Sequence, residues 1–141
     1  IMILRVFIIF NIIFFIQNSL MANTQFFQEG LNLYENKKYE EAKFKFEQSI
    51  VLNPKNELSY LYLSKIFKNM NNKNLEEQNL NTVILLNPKN EEAIYNLAKL
   101  KLENSDYKRS KELNNKLMNL CNKFCSKSKE LEIEIENLSK K

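Results

Sequence analysis

The tetrapeptide Asn-Pro-Lys-Asn occurs twice in this chain, at residues 53–56 and again at residues 87–90. Each copy follows an aliphatic stretch, Ser-Ile-Val-Leu before the first and Val-Ile-Leu-Leu before the second. Proline disfavours helical backbone in the residue before it, so each tetrapeptide predicts the C-terminal end of a helix. The prolines, Pro54 and Pro88, are 34 residues apart. That period is typical of arrays in which a pair of helices repeats.

Length and composition agree with such an array. The 141 residues provide room for about three units. One glycine and two prolines supply few of the turn signals that a many-stranded sheet needs. The 21 basic and 17 acidic side chains are interspersed and give a net charge of +4, which is poor evidence for nucleic-acid binding. There is no histidine and no glycine-rich loop, so we expect no enzymatic activity, no cofactor and no metal site.

The N-terminal stretch resembles a targeting segment. Residues 1–16 are apolar apart from Arg5 and one asparagine. One positive charge before an apolar run of eleven residues is typical of a secretory signal peptide, and the run is short for a bilayer span of roughly 20 residues. We predict a signal peptide over residues 1–22, cleaved after Ala22, with an uncleaved membrane anchor as the alternative. Both imply a periplasmic, secreted or outward-facing location, whereas translation from Met21 would give a cytoplasmic protein.

Residues 23–56 are predicted to form two helices joined by a short turn. The pattern is carried by Phe26, Gly30, Leu33, Tyr34, Tyr39, Ala42, Phe46 and Pro54. It resembles a tetratricopeptide repeat closely. The resemblance implies small residues, Gly30 and Ala42, where the two helices cross, with large aromatic side chains filling the space beside them. The sequence departs from the family at Lys37, where a glycine often ends the first helix.

The resemblance continues over residues 57–90, with matching positions held by Tyr60, Leu63, Ser64, Phe67, Leu80, Val83 and Pro88. Glu76 stands where the first unit has Ala42. This predicts either a looser helix crossing or a second helix rotated so that Leu75 and Asn79 approach instead. The internal turn, 69–74, is polar and is predicted to be long.

A third unit is predicted over residues 91–124, with its internal turn at 103–107. Its apolar and small positions are Ile94, Leu97, Ala98, Leu100, Leu102, Tyr107, Ser110, Leu113, Leu117 and Leu120. Residues 125–141 follow with an amphipathic pattern that suits a capping helix over the last repeat. The predicted fold is therefore all-α, an α-solenoid of about three tetratricopeptide-like helix-turn-helix repeats with a C-terminal capping helix.

Cys121 and Cys125 stand where the third turn would have its Asn-Pro. If the helix ran straight on, the two cysteines would be small core residues on the same helix face as Leu117 and Leu131. If the helix ends near Cys121, the pair brackets a turn and can close as a disulfide. The predicted export favours the disulfide, because such pairs are usually joined in an oxidising compartment. Two thiols without a histidine are not expected to form a metal site.

In the tetratricopeptide family, the first helices of successive units line a concave surface that holds an extended peptide or a partner helix. The resemblance implies a groove here, lined by Phe27, Leu31, Tyr34, Leu61, Lys65, Lys68, Tyr95, Lys99 and Leu102. Apolar residues in its N-terminal half and lysines toward its middle suit a peptide with a hydrophobic anchor and an acidic group. The alternative is that these are ordinary packing residues and solvated lysines.

The predicted function is that of a non-enzymatic protein–protein interaction adaptor, exported or tethered through residues 1–22, which binds a peptide or helix of another protein. No nucleic-acid partner is expected. The alternative is a structural module that oligomerises through its final amphipathic helix, in which Leu117, Phe124, Leu131 and Leu138 recur at intervals of seven.

Overall fold

The computed structural model describes residues 24–140, which contain helices and short connections and no strand. The first helix, α1, is described over 24–35. The others follow as α2 (Tyr39–Leu52), α3 (Glu57–Asn69), α4 (Lys73–Leu86), α5 (Glu91–Glu103), α6 (Tyr107–Leu120) and α7 (Cys125–Leu138). The all-α prediction is confirmed. The predicted signal peptide or membrane anchor, 1–22, lies outside the described residues.

The described residues fall into two compact units, one ending at Ser59 and the other beginning at Tyr60. The first unit holds α1, α2 and the first residues of α3. The second unit holds the remainder of α3 together with α4 to α7.

The first unit is organised around Gly30. A Cβ atom at this position would lie 2.8 Å from Cε1 of Phe46, which is closer than two carbon atoms can pack without displacing one another. Both Ala42 and Phe46 are fully buried, and the ring centroids of Phe27 and Phe46 are 5.7 Å apart. The predicted contact of a small residue with a large one between the two helices is confirmed.

The turn inside each helix pair has the same backbone conformation. Its middle residue is left-handed, with φ of 61° at Lys37, 56° at Asn71 and 60° at Ser105. The following residue donates its N–H to the carbonyl five residues earlier, as in Lys38 to Leu33 at 2.9 Å, Asn72 to Phe67 at 2.8 Å and Asp106 to Lys101 at 2.9 Å. The middle residue donates to the carbonyl three residues earlier, which completes a Schellman motif. The second turn, predicted to be long, therefore spans only 70–72, like its counterparts.

The two Asn-Pro-Lys-Asn segments end α2 and α4 as predicted. The N–H of Asn53 donates to Ser49 O at 2.9 Å, and the N–H of Asn87 donates to Val83 O at 2.7 Å. Each asparagine then accepts, through Oδ1, the N–H of the lysine two residues later, at 3.2 Å for Lys55 and 3.1 Å for Lys89. Proline has no N–H, so these bonds satisfy the next free donor of each turn.

The second unit has one core, to which α3 to α7 all contribute. It consists of Leu61, Leu80, Val83, Ala93, Ile94, Leu97, Ala98, Leu100, Leu102, Leu113, Leu117, Leu131 and Ile135. The helix α5 packs against α4 and α6, and α7 packs against α6 and α5. The capping role predicted for the C-terminal segment thus has a physical basis in two neighbouring helices.

The carboxylate of Glu76 occupies the buried crossing position of α4. Glu76 is 4% exposed, while Leu75 is 36% exposed. Of the two predicted alternatives, the rotation that would bring Leu75 into the crossing is therefore wrong, although Asn79 is buried. The helix keeps the register of the repeat, in which Ala42 of α2 and Ser110 of α6 are the equivalent buried residues. Burial raises the pKa of Glu76, opposed by the positive charges of Lys68 and Lys73.

Helix α7 is held by apolar and polar contacts together. Leu131 and Ile135 are 1% and 2% exposed. The buried Asn114 of α6 donates to Ser128 O at 3.0 Å and accepts from Ser128 Oγ at 2.8 Å. The predicted heptad face, comprising Leu117, Phe124, Leu131 and Leu138, packs into this core. Leu117 and Leu131 are thus covered by the helices of the same unit, while Phe124 and Leu138 are partly buried, and oligomerisation through this face stays a prediction.

Candidate partner-binding face

Two ion pairs join the helices on one side of the second unit. Lys65 of α3 contacts Glu92 of α5 at 2.7 Å, and Lys99 of α5 contacts Glu134 of α7 at 2.8 Å. We call the surface that contains these four residues and Tyr95 the α3–α5–α7 face. Positive and negative side chains alternate across it, from Lys65 of α3 through Glu92 and Lys99 of α5 to Glu134 of α7.

Aromatic rings lie beneath Lys65 of this face and beneath Lys127 at its edge. The Lys65 ammonium is 4.7 Å from the ring centroid of Tyr62. The rings of Tyr95 and Phe124 are 5.6 Å apart, and the Lys127 ammonium lies 5.5 Å and 4.6 Å from their centroids. Attraction between a cation and an aromatic ring contributes about 0.5–1 kcal/mol at exposed sites. The rings therefore hold the lysine side chains in place at the surface.

The electrostatics of the Lys99–Glu134 pair favour its charged form. Lys99 Nζ lies 3.1 Å from Oε1 and 2.8 Å from Oε2 of Glu134. Desolvation alone would lower the pKa of Lys99, but its hydrogen bond to Glu134 and the attraction between the two charges raise that pKa. The lysine thus stays protonated at neutral pH and presents a fixed positive charge.

Lys65, Tyr95 and Lys99 are the predicted groove residues that the structure brings together. Lys68 is exposed near the end of α3. In contrast, Leu61 and Leu102 are each 4% exposed and belong to the core. These two leucines are core residues and offer no side-chain surface to a partner, because neighbouring helices cover them.

The predicted groove residues Phe27, Leu31 and Tyr34 belong to the first unit. All three are partly buried. Phe27 packs against Phe46, as described above, and the ring of Tyr34 is 5.6 Å from that of Tyr39. Packing within the helix pair thus accounts for part of their apolar surface.

Four residues of the α3–α5–α7 face and its edge were absent from the sequence prediction, namely Glu92, Phe124, Lys127 and Glu134. A signal existed for Glu92, since it precedes Tyr95 by three residues and Lys99 by seven, which places all three on one side of a helix. No comparable signal existed for Glu134, because the rotation of α7 about its axis is set by packing on α5 and α6.

The turn between α6 and α7 lies at one edge of this face. Helix α6 ends at Leu120 and α7 begins at Cys125, so a straight continuous helix is excluded. The sulfur atoms of Cys121 and Cys125 are within bonding distance, and their Cα atoms are 5.2 Å apart, as in a disulfide. The pair therefore brackets the turn.

The carboxylate of Glu91 closes the same turn from the start of α5. It accepts the backbone N–H groups of Asn122, Lys123 and Phe124 at 2.9, 2.9 and 2.8 Å. Desolvation would raise the pKa of Glu91, but the three backbone donors and the Lys123 charge together hold it below its usual range. Glu91 thus supplies the acceptor that the asparagine side chain supplies in the first two turns.

Within residues 24–140, no group of three or more His, Cys, Asp or Glu side chains is arranged to hold a metal ion. None of the helices in this part of the chain combines the length and the hydropathy that crossing a membrane requires.

Known structures resemble this chain over most of its length. A tetratricopeptide-repeat domain of OM64 from Arabidopsis aligns with a TM-score of 0.75 at 20% identity, covering 84% of this chain and 98% of that one. The type III secretion chaperone SycD of Yersinia enterocolitica, in complex with a peptide of the translocator YopD, gives 0.74 at 20% identity, with 84% and 94% covered. The TPR2B domain of yeast Sti1, in complex with pHsp70, gives 0.77 at 12% identity, with 84% and 98% covered.

No protein-family model and no curated protein matches the sequence. The structural likeness nevertheless defines the class of fold. The chain has the tetratricopeptide-repeat fold, an all-α solenoid, as the repeat period and the small-to-large pattern predicted.

Proposed function

We propose that this chain is a non-enzymatic adaptor that binds a peptide or helix of another protein on the α3–α5–α7 face. The observation that carries the proposal is the arrangement of Lys65 of α3 with Tyr95 and Lys99 of α5, which ion pairs link to Glu92 of α5 and Glu134 of α7. The fold adds support, since two of the similar structures are complexes, one with a YopD peptide and one with pHsp70. A third, the first repeat domain of Spaghetti (RPAP3), is bound to the HSP90 peptide SRMEEVD.

The partner segment that fits this face carries an acidic group and a hydrophobic anchor. Lys65 and Lys99 are 25% exposed in their side chains, so a carboxylate can reach their ammonium groups. An aromatic or aliphatic anchor would pack beside Tyr95, whose ring is only partly buried. Charge would chiefly set the rate and the specificity of association, while the anchor would supply most of the affinity.

The proposed location is extracytoplasmic, either released or tethered through residues 1–22. The apolar N-terminal sequence supports export. The arrangement of Cys121 and Cys125 supports it too, because disulfides persist in oxidising compartments and are rare in the cytosol. Protein should be recovered from the extracytoplasmic fraction, alkylated without reductant and examined by mass spectrometry. Neither cysteine should then carry the alkyl group. Free thiols in that fraction, or recovery only from the cytosol, would contradict the proposal.

A peptide array tests the binding function. Its members are about ten residues long and contain one aromatic anchor. They are made in pairs, in which one peptide has glutamate at the positions where the other has glutamine. Labelled full-length protein should prefer the glutamate members. Lys65→Gln combined with Lys99→Gln should reduce that preference by about fivefold, as expected for losing charge-assisted contacts.

The matched control is the double variant Lys55→Gln with Lys108→Gln. Both lysines are exposed and neither is one of the residues of the α3–α5–α7 face, so this variant has the same net charge and leaves those residues unchanged. Equal losses in the two double variants would mean that the preference reflects overall charge, and the face would be rejected as the binding site.

A further inference from the structure

Side chains of α7 and of the turn before it contact the polar and aromatic groups that α5 presents. Phe124 packs against the Tyr95 ring, Lys127 lies over both rings, and Glu134 contacts Lys99. An aromatic group and a carboxylate are the same two chemistries that suit a partner segment on this face. In the free protein, α7 therefore supplies groups that resemble those of a ligand.

The packing of α7 against the other helices of the second unit does not depend on Glu134. Leu131 and Ile135 bury its apolar side, and Ser128 exchanges two hydrogen bonds with Asn114. Glu134 itself is 44% exposed in its side chain. Its carboxylate can rotate away from Lys99 into water while the helix backbone keeps its place.

We propose that Glu134 is an internal competitor, which occupies the Lys99 ammonium in the free protein and is replaced there by a carboxylate of the bound partner. The inference rests on the proposed function, because it concerns regulation of the same face. Binding then exchanges one ion pair for another, so a partner gains from Lys99 only the difference between its own carboxylate and that of Glu134. Acidic segments that fit Lys99 poorly gain nothing there, and the face discriminates against weakly matched acidic peptides.

A comparison of two glutamate variants tests this role. Glu134→Gln keeps the size of the side chain and removes the competing charge, so its affinity for glutamate-containing members of the paired peptide array should rise about two- to fivefold, the range set by partly exposed ion pairs. Glutamine-containing members should bind unchanged. Glu136→Gln is the control, because Glu136 is exposed two residues along the same helix and its loss changes the net charge equally.

A double variant separates competition from a general charge effect. In protein that carries Lys99→Gln, the additional change Glu134→Gln should give no gain, since there is no ammonium left to release. Equal behaviour of the Glu134 and Glu136 variants, with wild-type protein still preferring glutamate peptides, would overturn the competitor and leave the proposed function standing. Failure of the wild type and all variants to prefer glutamate peptides would overturn both.

Discussion

The left-handed turn at Lys37 predicts a stabilising substitution. Lys37 has φ of 61°, a conformation that costs an L-residue roughly 1–2 kcal/mol and costs glycine almost nothing. Replacing Lys37 with glycine removes that strain. It also destabilises the folded state by about 0.5–1 kcal/mol, because glycine loses more conformational entropy on folding. The net gain in the free energy of unfolding should be about 0.5–1 kcal/mol. For a chain of this size the melting temperature should rise by roughly 2–5 °C.

The same reasoning ranks the three turns by the stability that a glycine should add at each. Ser105→Gly should stabilise about as much as Lys37→Gly, whereas Asn71→Gly should gain less, because asparagine tolerates the left-handed region better than lysine or serine. Thermal and urea unfolding followed by circular dichroism would measure all three. The spacing of these positions, one in each helix pair, makes the series an internal comparison.

Two controls distinguish backbone strain from side-chain effects. Lys37→Ala should leave stability nearly unchanged, since alanine has the same strain as lysine at positive φ. Lys129→Gly, at an exposed position inside α7, should lower stability by about 1 kcal/mol. A glycine at position 37 that stabilises no more than the alanine would refute the assignment of strain to this turn.

The remaining predictions concern the crossing of α1 and α2, the buried Glu76 and the cysteine pair. Gly30→Ala should lower stability by about 1–3 kcal/mol, because the new Cβ overlaps the Phe46 ring, and the loss should shrink in protein carrying Phe46→Leu. Glu76→Gln should raise the melting temperature near neutral pH. The raised pKa of Glu76 means that its charged form opposes folding above that pKa, so the gain should fade as the pH falls. Replacing Cys121 and Cys125 with serine should cost about 1–2 kcal/mol under non-reducing conditions.

Each of these has a measurement that would contradict it. An unchanged unfolding midpoint for Gly30→Ala would show that Phe46 can move aside. A stability gain for Glu76→Gln that persists undiminished at about pH 4, where free glutamate is largely protonated, would point to packing instead of charge. The disulfide is tested by adding a reductant, which should lower the stability of the wild type to that of the serine variant and leave the variant unaffected.

Features that depend on local chain conformation were predicted from the sequence. Pro54 and Pro88 each mark a helix end because the restriction they impose acts on the adjacent residue. Gly30 and Phe46 were paired correctly because their repeat positions alone place them at a helix crossing. The short turn between α1 and α2 was predicted from the repeat pattern, but the left-handed conformation of Lys37 was not, because lysine is a poor residue for positive φ.

Features that depend on the rotation of a helix against its neighbours could not be predicted in this way. Leu61 and Leu102 were assigned to the groove, yet each is covered by an adjacent helix. One step along a helix turns a side chain by about 100°, so residues at the margin of a face can belong to the core or to the surface. The pairing of Lys99 with Glu134 depends on the same rotation.

The carboxylate of Glu91 has a consequence for how this array can change in length. The first two turns are completed by asparagines within the same four residues, so whole repeats that carry such turns could be gained or lost without disturbing the others. The last turn takes its acceptor from a residue that lies 31 to 33 positions upstream. A repeat inserted between Glu91 and Cys121 would leave three backbone donors without that acceptor, so insertions within this stretch should be tolerated less well than insertions before Glu91.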